Sequence, residues 1–146
     1  YMLIKAYRNF FNSKMKAYLG LAKLKQEFLN KLHVIDFIPE DYQPSEFLPM
    51  TELDSLINFV NKNRIYLSEN LISKYDEWYT ITAQKISAEK LKYYNDGGYS
   101  RYSEMEVSSY EDSCERQVYL DNQNFFQIFL DEIDMDVKAL RKKYDL

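Results

Sequence analysis

The chain has 146 residues, 46% of them hydrophobic and 29% charged, a balance that supplies one buried core and argues against intrinsic disorder. Only three glycines and three prolines occur, too few for the turns of a β-sandwich or barrel, so a small number of long helices is expected. The formal net charge of −4 weighs against nucleic acid as a partner, because phosphate contacts dominate such affinity.

The first expected element is a long helix over residues 2–33. Ile4, Tyr7, Phe11, Met15, Tyr18, Leu21, Phe28 and Leu32 recur at helical spacing, with Gly20 the one glycine among them. Lys14 and Lys25 fall on or beside this stripe, which predicts an amphipathic face with snorkelling lysine stems in place of a strict coiled-coil seam. Pro39, Pro44 and Pro49 then forbid a continuous helix between His33 and Met50. The apolar residues of that segment, Val34, Ile35, Phe37, Ile38, Phe47 and Leu48, predict a loop packed across the helices.

A short helix is expected over 51–62. Thr51 is placed to cap it, Glu52 and Asp54 complement its dipole, Leu53, Leu56, Ile57 and Val60 form its buried face, and Asn61 and Asn63 end it. The stretch from Asn63 to Ser68 reads as a break and restart. Ser68 caps a third helix, 68–95, carrying Leu71, Ile72, Tyr75, Trp78, Tyr79, Ala83, Ile86 and Tyr93, and Asn95-Asp96-Gly97-Gly98 terminates it. One last long helix over 104–144 is expected to carry Tyr110, Cys114, Val118, Phe125, Phe129, Ile133, Val137, Leu140 and Tyr144. The predicted fold is therefore all-α, a single domain formed by an antiparallel bundle of three long helices plus one short helix, with the proline-containing loop across it. No internal repeat argues for a solenoid.

Charge is distributed unevenly. Residues 1–34 hold seven bases, Lys5, Arg8, Lys14, Lys16, Lys23, Lys25 and Lys31, against Glu27 alone, whereas residues 103–136 hold ten acids against Arg116 alone. Side-by-side packing would let the first and last helices neutralise each other along solvated edges, a weak effect pair by pair. A basic helix of this kind also fits the cytoplasmic side of a membrane, following a transmembrane segment and facing anionic headgroups. That second reading makes Lys5, Arg8, Lys16 and Lys23 the candidate partner or membrane contact. An upstream apolar stretch of about 20 residues is its requirement.

No constellation for catalysis, cofactor or metal stands out. Asp131-Glu132-Ile133-Asp134-Met135-Asp136 is rich in oxygen ligands but lacks the spacing and glycine of an EF-hand loop. Di-metal helical bundles use Glu-x-x-His pairs, and the single histidine, His33, has no such neighbour and is better placed to interact with the end of the first helix dipole. Asp96-Gly97-Gly98-Tyr99-Ser100-Arg101 lacks the lysine-serine ending and the preceding strand of a phosphate loop. Cys114, the lone cysteine, lies on an apolar stripe and reads as a small buried hydrophobe.

Three functions remain. The leading expectation is a non-enzymatic helical interaction module of a bacterium or phage, cytoplasmic and tethered to a membrane, which binds a protein partner or a second copy of itself through an exposed aromatic-rich face or the proline-rich loop. The lone cysteine and the lack of a glycosylation acceptor fit that compartment, as the Lys-, Asn-, Ile- and Tyr-rich composition fits a low-GC source. The first alternative is an acidic inhibitor or nucleic-acid mimic presenting Glu111, Asp112 and Glu115 to a basic cleft. The second is a small enzyme, which requires a pocket holding several ionisable groups with perturbed titration.

Overall fold

A computed structural model describes residues 2–32, 48–95, 97 and 104–145, and 93% of these are helical, with no strand among them. Five helices pack together: α1 (Met2–Leu32), α2 (Met50–Lys62), α3 (Glu69–Asn95), α4 (Glu104–Asp121) and α5 (Gln123–Tyr144), with a 3₁₀ turn at Arg64–Tyr66. Residues 33–47 of the expected loop, with Pro39, Pro44 and His33, lie outside the described residues, as do Asp96 and the segment 98–103, while its last apolar member, Leu48, is buried in the core.

The punctuation follows local chemistry. Ser68 caps α3 as expected, its hydroxyl accepting from the Leu71 amide at 3.1 Å. Asn63 closes α2: its amide donates to the Phe59 and Val60 carbonyls, and its side chain donates to Phe59 O at 2.9 Å. Gly97 adopts φ of 80° beyond the end of α3, a geometry that suits glycine. Thr51 does not cap α2. The helix starts one residue earlier, with Pro49 in the flanking position, and its carbonyl accepts from the Leu53 amide at 3.0 Å. A proline suits the first turn because its missing N–H is one the helix would leave unpaired there anyway.

Contacts fix the direction of the pairs. Rising numbers along α1 meet falling numbers along α5, from Phe11 with Tyr144 (ring centroids 4.4 Å apart) to Phe28 with Phe126 (5.3 Å). The same reversal links α3 to α5, where Lys74 meets Glu132 and Trp78 meets Phe126, and reaches the residue before α5, where Lys85 meets Asn122. It continues into α4 through Lys90–Glu115 and the stacked Tyr93–Tyr110 pair. Gly20 allows α2 close to α1, for a methyl there would meet Phe59 Cζ at 2.5 Å.

Leu21, Leu53, Leu56, Val60, Leu71, Tyr75, Trp78, Phe129, Leu130 and Ile133 form the fully buried centre. On α3 the buried face runs through Leu71, Tyr75, Trp78 and Thr82, so it is rotated from the expected stripe and leaves Tyr79 and Ala83 exposed. The hydroxyl of Thr82 explains the shift. It accepts at 3.1 Å from the buried Asn122 side chain, giving that amide a partner inside the protein.

The expected single helix over 104–144 is two helices. Asn122 breaks it with φ of −100° and ψ of 14°, and its carbonyl accepts the amides of both Phe125 and Phe126. Its side chain is 1% exposed, donates to Thr82, and accepts from Lys85 Nζ at 2.7 Å. Asn122→Ala is expected to lower the unfolding free energy by about 2 kcal/mol, because the buried Thr82 hydroxyl loses its donor and the exposed Lys85 loses its acceptor. Denaturant midpoints measure this, and a loss below about 0.5 kcal/mol would place the cause of the break elsewhere.

Candidate interaction surface

Helix α1 buries one face, through Ala17, Tyr18, Leu21, Lys25 and Phe28. Lys5, Lys16 and Lys23 are separated by eleven and seven residues, intervals that return to within about 20° on a 3.6-residue turn, so the three share a line opposite that face. Arg8 lies beside them, and all four are exposed. The structure thus brings together the four basic candidates as one stripe about 27 Å long. None of them forms an ion pair among the described residues. Of the other three α1 bases, Lys31 pairs with Glu52 of α2 and Lys25 pairs with Asp134 of α5, while the half-buried Lys14 forms no ion pair among the described residues.

Lys25 departs from the expected snorkelling. It is 8% exposed, and its ammonium also donates to Leu130 O at 3.2 Å, so the charge is satisfied inside the α1–α5 seam. Charge neutralisation between the first and last helices comes down to this Lys25–Asp134 pair among the described residues. Next to it, the Tyr18 hydroxyl donates to Asp136 Oδ2 at 2.7 Å and accepts from the Ser68 amide at 2.9 Å, while Ser68 Oγ donates to the same carboxylate at 2.6 Å. Burial and the Asp136 charge push Tyr18 up to about 12. This junction of three elements was not anticipated, though Ser68 and the aspartates stood in the sequence; which partner each would meet depends on the helix register.

The acidic candidates are less available. Asp112 accepts from Arg116 Nε at 3.0 Å, and Glu115 accepts from Lys90 Nζ at 2.7 Å. Glu111 is half-buried and also engaged. Arg116 reaches further, donating to Leu48 O at 3.1 Å, so it ties α4 to the backbone just before α2. Glu115 links α4 to α3, while Asp112 is held only within its own helix and stays largely exposed, so an incoming basic cleft would compete with weak surface pairs.

A cavity of about 200 Å³ opens among Phe28, Leu53, Trp78, Tyr119, Phe126 and Leu130. Tyr119 is the one ionisable group among its described lining residues, and burial together with the charges of Asp54 and Glu115 pushes it up to about 12. Cys114 is half-buried, and burial with the nearby Glu89 charge raises its thiol, which disfavours the nucleophilic thiolate. Among the described residues no group of three His, Cys, Asp or Glu side chains is arranged to hold a metal ion. No described helix is long and apolar enough to cross a membrane. Comparison of the chain with protein-family models, curated proteins and solved structures finds no match.

Proposed function

We propose that this chain is a non-enzymatic helical interaction module whose contact element is the outer face of α1. The carrying observation is the unpaired state of Lys5, Arg8, Lys16 and Lys23, set against the engagement of Glu111, Asp112 and Glu115. Exposed charges left without partners retain their hydration and counterions, and are free to steer and bind an acidic surface. The remaining helices act as a scaffold, read as an antiparallel bundle in which α4 and α5 together form the third long column. A cytoplasmic, membrane-tethered setting in a bacterial or phage cell suits such a face.

Charge reversal of the stripe is the test. The fourfold variant K5E/R8E/K16E/K23E is expected to keep the helical circular dichroism and melting behaviour of the parent, since all four positions are exposed. It is expected to lose protein partners that the parent captures, with at least a tenfold drop in affinity and a salt dependence to match. Capture that survives the four reversals would sink this reading. Loss on reversing Glu111, Asp112 and Glu115 instead would favour the acidic mimic.

A further inference from the structure

The cavity beside the α4–α5 break draws its walls from all five helices: Phe28 comes from α1, Leu53 from α2, Trp78 from α3, Tyr119 from α4, and Phe126 and Leu130 from α5. Protein interiors seldom leave voids much larger than a water. Here about 200 Å³ stays open, and the rings around it explain why. Phe126 meets Phe28 edge-on at 5.3 Å, with planes 83° apart, and lies 4.7 Å from Trp78, while Tyr119 lies 6.0 Å from Trp78. Each ring is wedged against the next, so none turns into the space without losing contacts behind it. The break at Asn122 falls between the lining residues Leu120 and Gln123, so the end of one helix and the start of the next both border the cavity. A buried asparagine in the middle of an apolar stripe departs from the local pattern, and natural proteins keep such departures at functional sites.

The lining selects its occupant by chemistry. Phe28, Leu53, Trp78, Phe126 and Leu130 give it a buried apolar floor. Its polar members are the half-buried Tyr119 and the exposed Gln123, Asn124 and Gln127, all uncharged. The side chains of Tyr119, Gln123 and Asn124 make no hydrogen bond among the described residues. No Lys, Arg, His, Asp or Glu stands among the described lining residues, and Asp54 and Glu115 lie close enough for their charges to act on Tyr119. An anion held here would lack a counter-charge and face two carboxylates. An apolar cavity of about 150 Å³ admits benzene, so this one has room for a single ring with a short substituent. We propose that the cavity binds an uncharged one-ring aromatic molecule carrying a hydroxyl or carbonyl, its ring against Trp78 and Phe126 and its polar atom at the rim formed by Tyr119, Gln123 and Asn124. This site is independent of the reading of α1's outer face.

The probe is benzyl alcohol, titrated into the intact chain and followed by calorimetry and by the emission of Trp78, the one tryptophan of the sequence. One-to-one saturation is expected, with a dissociation constant of about 1 mM or tighter, the range open to so small a ligand. Benzoate, matched in size, is expected to bind about tenfold more weakly or worse. Leu29→Phe combined with Leu120→Phe fills the cavity from two half-buried wall positions and is expected to weaken benzyl alcohol about thirtyfold while the melting temperature holds. Leu120→Ala works in the opposite direction and decides the matter if the filled variant melts early. It is expected to admit naphthalenemethanol, which the parent should bind about tenfold more weakly than benzyl alcohol. The fourfold reversal on α1 and Leu19→Phe, all away from the cavity lining, are expected to leave these affinities unchanged. Signals that rise without saturating, full affinity in a filled variant that melts like the parent, or exclusion of naphthalenemethanol by Leu120→Ala as by the parent would each overturn the site. Benzoate binding as well as benzyl alcohol would overturn its restriction to uncharged ligands.

Discussion

Trp78→Ala is expected to reduce the unfolding free energy by about 4 kcal/mol, a large share of the roughly 5–15 kcal/mol that holds a domain of this size folded. The indole is 1% exposed and touches aromatic rings on two other helices: Phe126 at 4.7 Å between centroids, Phe129 stacked at 6.2 Å, and Tyr119 at 6.0 Å. Truncation leaves a hole next to the existing cavity, bordered by α3, α4 and α5 side chains that cannot all collapse into it. Trp78→Phe separates packing from polarity. The indole N–H is buried with no acceptor among the described residues, so losing it removes an unmet demand, and the phenylalanine variant should lose less than about 2 kcal/mol. Urea denaturation followed by circular dichroism decides between them. Equal costs for alanine and phenylalanine would mean that the smaller ring fills the site no better than a methyl group.

The second large effect is alkaline unfolding. Tyr18, Tyr75 and Tyr119 are each pushed from 10.0 to about 12, burial being the first cause in all three. The Asp136 charge adds to it at Tyr18, the Tyr79 charge at Tyr75, and the Asp54 and Glu115 charges at Tyr119. A raised value means that the folded chain holds the phenolic proton more tightly than the unfolded one. The corresponding stability is complete below about pH 10 and is withdrawn as the pH climbs toward 12. With each ring worth on the order of 2 kcal/mol, the three together rival the whole stability of a small domain. Loss of helix and the last part of the rise in tyrosinate absorbance, that of Tyr18, Tyr75 and Tyr119, should coincide between pH 10 and 12. Complete ionisation of all fourteen tyrosines near pH 10 while the helices persist would show that these three hydroxyls are open to water.

Much of the helical plan was legible because it depends on neighbours in the chain. The α1 and α2 stripes, the Ser68 cap, the Asn63 stop and the Gly97 turn are local signals, and each lies within a residue or two of its expected place. The break at Asn122 was hidden by phase. Val118 and Phe125 are seven residues apart, which changes the facing angle by only about 20°, so the stripe passes through the interruption as if the helix were whole. The visible sign was the polar run Asp121-Asn122-Gln123-Asn124, rich in residues that prefer caps and turns. Burial of Lys25 and exposure of Ile4 and Tyr7 were not legible, since periodicity gives the face of a helix but not where the neighbouring helix ends. The four basic candidates could be placed on one line by spacing alone; that they are unpaired, while Glu115 and Asp112 are paired, required the packing of α3 against α4 and the turn geometry of α4.

The confinement of full burial on α1 to residues 17–28 also bears on how that helix holds together. A helix is costly to begin and inexpensive to extend, and a stretch of about ten residues in water rarely holds its shape unaided. The stretch of α1 from Ala17 to Phe28, clamped by α2 and α5, holds helix that extends outward from it by one hydrogen bond per residue. The leading turns thus inherit their order from a clamp several turns away, and loosening that clamp would unwind them before anything touched them directly.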